Sequence, residues 1–286
     1  MKLIFCALSV LCGAAHALSA QLPSSASRET LLQRFIAPKP MSYRVEVIIG
    51  PSNFAGVINP KAANPARILE VRNGLLTSSP SVPGAQFVIS DQTKSITALL
   101  NNYQARWEEM PAVASLAERT VQQLKLIPRD GWRYTRVLWL DEQTGVPLKT
   151  EIYRKNELIE RMQVKNIDFF DSVASSYTTQ TDRSGTAAAP EILGHSMFYV
   201  RNVPTGFVLT SVFNDSTHVQ QIYSDGLARV SVFVQALGAL PAAGYTQRGS
   251  TGFVVRRNGN VDLVAVGDVP QATLERFLSG IDAIEQ

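Results

Sequence analysis

The chain has only two cysteines in 286 residues, Cys6 and Cys12, and both lie within the first twenty. Everything beyond them is without thiols, which excludes a structural disulfide, thiol catalysis and cysteine-ligated zinc there. Histidine is almost as scarce: His195 and His218 are the only two beyond residue 20. Two histidines alone make a poor metal site. Charge of one sign is also lacking. With 27 basic and 24 acidic residues the net is +3, which argues against the basic stripe of a nucleic-acid binder. No apolar run approaches the roughly 18 residues that a membrane-spanning helix needs. The nucleophile elbow, the phosphate-binding loop, the zincin helix motif and the dinucleotide glycine run are all missing.

What is present is the composition of a globular protein, 45% apolar and 18% charged. A chain of this length buries roughly 70–75% of its unfolded surface and needs no cross-link to fold. The start reads as an address. Lys2 precedes an apolar stretch over residues 3–15, and Ala15-His16-Ala17 and Leu18-Ser19-Ala20 offer small-residue cleavage sites. Residues 1–20 are therefore expected to be a secretory signal peptide, cut after Ala17 or Ala20. Lipidation at Cys12 is disfavoured by Leu11, where a small residue is wanted. From Pro190 onward there are six arginines, no lysine and eight acids, so the positive excess lies in the front of the chain. A basic front and an acidic back can attract each other or different partners.

Leu31, Leu32, Phe35 and Ile36 line one face of a short helix that Pro38 and Pro40 end. Tyr43, Val45, Val47 and Ile49 then alternate with other residues as in a strand. Residues 67–71, 86–90 and 95–100 are further short strand candidates. The stretch 120–170 reads as a four-strand antiparallel meander, with turns at Asp141 to Gly145 and at residues 154–157. Residues 171–192 are rich in Ser, Thr and Ala and read as a linker. Strands are expected beyond it at 198–203, 207–213, 218–224, 228–235, 252–257 and 261–267. The turns Ser224-Asp225-Gly226 and Asn258-Gly259 suit hairpins. Pro270 opens a last helix, at its first position, with Leu274, Phe277, Leu278 and Ile281 in one stripe. The fold class is α+β, mostly antiparallel β: a front domain over 21–170 and a smaller β-sheet domain over 193–286 with a C-terminal helix.

Candidate chemistry is thin. His195 beside Ser196, or His218 beside Ser216, is the most that a hydrolase reading has, and an ordinary strand or surface histidine accounts for each. Glu108-Glu109 and Asp141-Glu142 are neighbours, which point to opposite faces of a strand. Trp132, Tyr134 and Trp139 either fill a core or line the apolar face of an open, curved sheet that holds an acyl chain. Arg133 and Arg136 would then stand at its mouth and attract phosphate groups.

Several blocks together resemble the RseB/MucB family. They are Leu126-Ile127-Pro128-Arg129-Asp130-Gly131-Trp132-Arg133-Tyr134, Leu138-Trp139-Leu140-Asp141, Thr144-Gly145-Val146-Pro147-Leu148, Val203-Pro204-Thr205-Gly206-Phe207, Tyr223-Ser224-Asp225-Gly226-Leu227 and Val264-Ala265-Val266-Gly267-Asp268-Val269-Pro270. The resemblance covers roughly residues 119–286; residues 41–110 match weakly. It implies a periplasmic negative regulator of an envelope-stress sigma factor of the sigma-E type. Such a regulator binds the periplasmic part of an anti-sigma factor of the RseA/MucA type and shields it from proteolysis. It also implies a half-open barrel of the LolA/LolB type in front, lipid or lipopolysaccharide as a releasing ligand, and no cofactor. Tyr223, Ser224, Asp225, Gly226, Leu227 and Arg229 are the expected partner-binding residues, on an exposed turn. Trp132, Tyr134, Trp139, Arg133 and Arg136 are the expected lipid-binding set. A periplasmic lipid or lipoprotein carrier is the alternative, and monomer and homodimer are both open.

Overall fold

A computed structural model describes residues 25–36, 42–50, 67–72, 75–78, 96–109, 115–170, 198–214, 218–238 and 243–281. The expected signal peptide, the linker over 171–192, the strand candidate at 86–90 and His195 lie outside these residues. No helix among the described residues is long and apolar enough to cross a membrane.

The front part is one antiparallel sheet. Its elements are α1 (Ser25–Ile36), β1 (Ser42–Gly50), β2 (Arg67–Arg72), β3 (Leu75–Ser78), α2 (Ile96–Asn102), β4 (Tyr103–Trp107), β5 (Ser115–Leu116), β6 (Arg119–Pro128), β7 (Thr135–Asp141), β8 (Pro147–Arg154) and β9 (Glu157–Phe170). The order is β3-β2-β1-β9-β8-β7-β6-β4, with β5 on β6. Among the described residues no pairing joins β3 to β4, so the sheet is open, and the expected meander is β6 to β9. β7 is central and covered on both faces, which is why Arg136, Val137, Leu138 and Leu140 are all buried. The apolar stripe of α1 packs on Leu124, Leu126, Leu138 and Leu140. Gly145 lets it come close: its φ is +79°, and a Cβ there would lie 2.7 Å from Cβ of Arg34.

The back part is a second antiparallel sheet. Its elements are β10 (Val208–Asn214), β11 (His218–Ser224), β12 (Arg229–Ala236), β13 (Gly244–Arg248), β14 (Thr251–Asn258), β15 (Val261–Gly267) and α3 (Gln271–Ser279), in the order β10-β11-β12-β15-β14-β13. α3 covers one face and seats Leu274, Phe277 and Leu278 on Val230, Val232 and Ala265. Phe277 meets Phe207 edge-on at 5.6 Å and Tyr223 at 5.1 Å.

Three local expectations are corrected. Residues 96–102 form α2 rather than a strand, because burial of Leu99 against α1 outweighs the β-branched pattern around it. Residues 198–203 form turns with a single bridge, Val200 to Ile281; Phe198 and Val200 are buried beneath the end of α3 instead of pairing along a ladder. Pro270 caps α3 and does not enter it, with ψ at 149°. The strands β3, β4, β5 and β13 were not expected.

Candidate functional site, a buried polar seam between the two sheets

The functional blocks converge where the sheets meet. Pro128 ends β6, and the loop after it is shaped by Asp130, whose carboxylate accepts the amide of Trp132 at 3.0 Å and the guanidinium of Arg133. This turn sends Arg133 into the back sheet. There its Nε donates to Asp225 and its Nη2 to the carbonyl of Thr205 at 2.6 Å. The ring of Phe207 lies 4.7 Å from the guanidinium and that of Tyr103 5.9 Å.

Asp225 is fully used. Its Oδ1 accepts the amides of Leu227 at 2.8 Å and Ala228 at 2.7 Å, which forms the tight turn between β11 and β12. Its Oδ2 accepts Arg133 and the hydroxyl of Tyr103, the latter at 2.9 Å. A second pair repeats the pattern. Arg136 of β7 donates to Asp268, whose other oxygen accepts the amide of Arg229 at 2.7 Å. Further along, Glu160 of β9 accepts the amide and hydroxyl of Ser250 at 3.0 and 2.8 Å. Thr273 of α3 donates to the carbonyl of Trp132 at 2.9 Å, and Arg276 lies over the Trp132 ring at 4.8 Å. Gln247 bridges to the Tyr134 hydroxyl at 3.3 Å.

The electrostatics follow from burial. Desolvation alone would lower both arginines; Asp225 beside Arg133 and Asp268 beside Arg136 more than offset it, so both are held above their ordinary values. Burial, then Asp225, pushes Tyr103 well up. Burial raises Glu160, with the Ser250 donors pulling the other way. Buried pairs of this kind add little net stability over apolar packing, yet removal of one partner strands a charge. Each pair here ties the back sheet to the front one. The basic front and acidic back meet in these two pairs.

This geometry corrects the expected sites. Asp225 is 5% exposed, Tyr223 and Ser224 are also buried, and Gly226 is closed over. Leu227 packs on the front core, and Arg229 is half-buried. The turn faces inward because Asp225 is the ligand of Arg133. The five residues of the expected lipid set do not meet in one place either. Arg133 and Arg136 are engaged by carboxylates, Tyr134 is in the core, and Trp132 is under Arg276. Trp139 projects from the opposite face to Arg136, with Lys149 3.9 Å from its ring centroid. His218 lies against Phe233 at 5.8 Å. Sequence reasoning missed Tyr103, Glu160, Ser250 and Asp268.

Two family models match the chain, the MucB/RseB N-terminal domain over residues 76–182 and the MucB/RseB C-terminal domain over 194–282. The sigma factor AlgU regulatory protein MucB of Pseudomonas aeruginosa is 31% identical over 193 residues, 62% of this chain and 61% of that protein. The sigma-E factor regulatory protein RseB of Escherichia coli is 22% identical over 177 residues, 58% of this chain and 56% of that protein. The matched region thus spans about three-fifths of the length of these relatives. Among solved structures, MucB matches with a TM-score of 0.59 and 22% identity over 91% of this chain and 98% of that one. A chain of the Pseudomonas aeruginosa MucA/MucB complex matches with a TM-score of 0.59 and 21% identity, over 91% and 99%. Both halves of the sequence, in the same order, match one regulatory family: the chain belongs to the MucB/RseB family.

Proposed function

We propose that the chain is a periplasmic negative regulator of a sigma-E-type stress response. It binds the periplasmic part of an anti-sigma factor and shields it from proteolysis, and lipid or lipopolysaccharide releases it. The observation that carries this reading is the ordered match of both domains to the family. A solved relative, MucB, is in complex with the periplasmic part of MucA, which supports the class of partner. A simple carrier needs only the front domain, so the second match counts against that alternative.

Regulation of this kind needs binding and no catalytic step. A regulator that binds only the protected form of its partner stabilises that form by about 2.7 kcal/mol at a hundredfold excess over Kd. A ligand that prefers the free regulator weakens the complex by the same factor as the complex weakens the ligand. In this reading Asp225 and Arg229 act from inside the seam and Tyr223 from behind it, packed on α3, so that together they hold the back sheet in the orientation that meets the partner. This reading keeps a signal peptide over 1–20, a front domain over 21–170, a linker over 171–192 and a back domain over 193–286.

The test is cleavage of the purified periplasmic segment of the cognate anti-sigma factor by its first-acting protease. With residues 21–286 added in excess, cleavage slows in proportion to the fraction bound. Equal cleavage with and without the chain overturns the reading.

A further inference from the structure

We propose that Glu160 makes the seam proton-operated: with its carboxyl neutral the two sheets stay clasped at Ser250, and its ionisation loosens them. Glu160 lies on β9 opposite Ile152 of β8 and is 4% exposed. It reaches out of the front sheet to the turn between β13 and β14, where Ser250 is 1% exposed. Both hydrogen bonds it accepts come from neutral donors, the amide and hydroxyl of Ser250.

The charged groups that act on it are Arg136, from β7, and Asp268, which follows β15. Arg136 favours the carboxylate and Asp268 opposes it, and these two are already paired with each other. The seam's other carboxylates each have a guanidinium: Asp225 has Arg133, and Asp268 has Arg136. Glu160 therefore bears the cost of burial without a cation of its own, and its titration lies above the ordinary range while the seam is closed.

The sign follows. Opening admits water and returns Glu160 to about 4.3, so the closed seam binds a proton that the open one releases. The clasp is firm on the acid side. Between about 4.3 and the raised value, its opening equilibrium grows with pH, by up to about tenfold for each pH unit.

Hydrogen exchange on residues 21–286 tests this. The amide of Ser250 donates across the seam to Glu160 and reports closure. After correction for intrinsic rates, its protection falls with rising pH above about pH 4.3 in the wild type, by up to about tenfold per pH unit. Glu160→Gln keeps the size and an acceptor oxygen, and its protection is flat over the same interval. Equal slopes in the two proteins overturn the proposal. If the variant does not fold, carbon-13 titration of the Glu160 carboxyl in the wild type decides: a midpoint above about 4.3 supports it, and one at or below that value overturns it.

Discussion

Arg136 and Asp268 are 132 residues apart in the chain and form an ion pair with each side chain only 1% exposed. One is in the centre of the front sheet and the other follows the last strand of the back sheet, so the pair carries long-range order that neither sheet supplies alone. Asp268→Asn leaves the guanidinium buried with no carboxylate and is expected to cost about 3–5 kcal/mol. The double variant Arg136→Met, Asp268→Asn should lose clearly less than the sum of its single changes, because the stranded charge is gone. Denaturant unfolding of the four proteins measures this. Additive losses would mean that the pair contributes no coupling.

Gly206 faces the side chain of Asn102 from the other side of the seam. Its φ is +88°, and a Cβ there would lie 2.2 Å from Oδ1 of Asn102. Gly206→Ala adds backbone strain to that clash and is expected to cost about 1–3 kcal/mol. Gly238→Ala is the control: it has a similar φ of +88° with open space around it, so it should cost less. Thermal unfolding of both variants checks the order, and equal losses would refute the role of the contact.

These contacts mark what the sequence could and could not say. The meander over β6 to β9 was legible because its strands are separated by turn residues with local chemistry, such as Asp141, whose carboxylate accepts the amide of Thr144 at 3.0 Å. The stripe of α3 was legible for the same reason: periodicity is local. The seam was not. Asp225 looked like the tip of a solvated hairpin, since Asp-Gly suits a turn whether or not an arginine 92 residues away reaches it. Arg133 and Arg136 looked like an exposed basic cluster because their partners lie in another domain. Charge asymmetry between the halves was the one visible trace of the pairing, and it names no residues.

Tyr223 lies between the back sheet and α3, and burial pushes its hydroxyl up to about 12. The unfolded group ionises near 10, so its contribution to stability is whole below about pH 10 and is lost as pH rises toward about 12. Tyr223→Phe removes that term, and alkaline loss of unfolding temperature should become shallower over this window. Curves of the same steepness for both proteins would contradict the assignment.

Phe277 anchors α3 on both Phe207 and Tyr223 and is 0% exposed. Phe277→Ala should cost about 3–5 kcal/mol. The loss should also reach the seam, because α3 carries Thr273 to the carbonyl of Trp132. Trp132 fluorescence followed alongside circular dichroism tests this, and an unchanged Trp132 environment in a folded variant would show that α3 and the seam are independent.

The central claim, that this member of the MucB/RseB family works by holding an anti-sigma factor, is tested most directly by titration calorimetry. Residues 21–286 are titrated with the purified periplasmic segment of the anti-sigma factor from the same organism. Saturable binding at one stoichiometry, weakened by Asp268→Asn in a folded sample, is the predicted result. The absence of heat with a well-folded wild-type protein, together with unchanged sedimentation of the mixture, would contradict it.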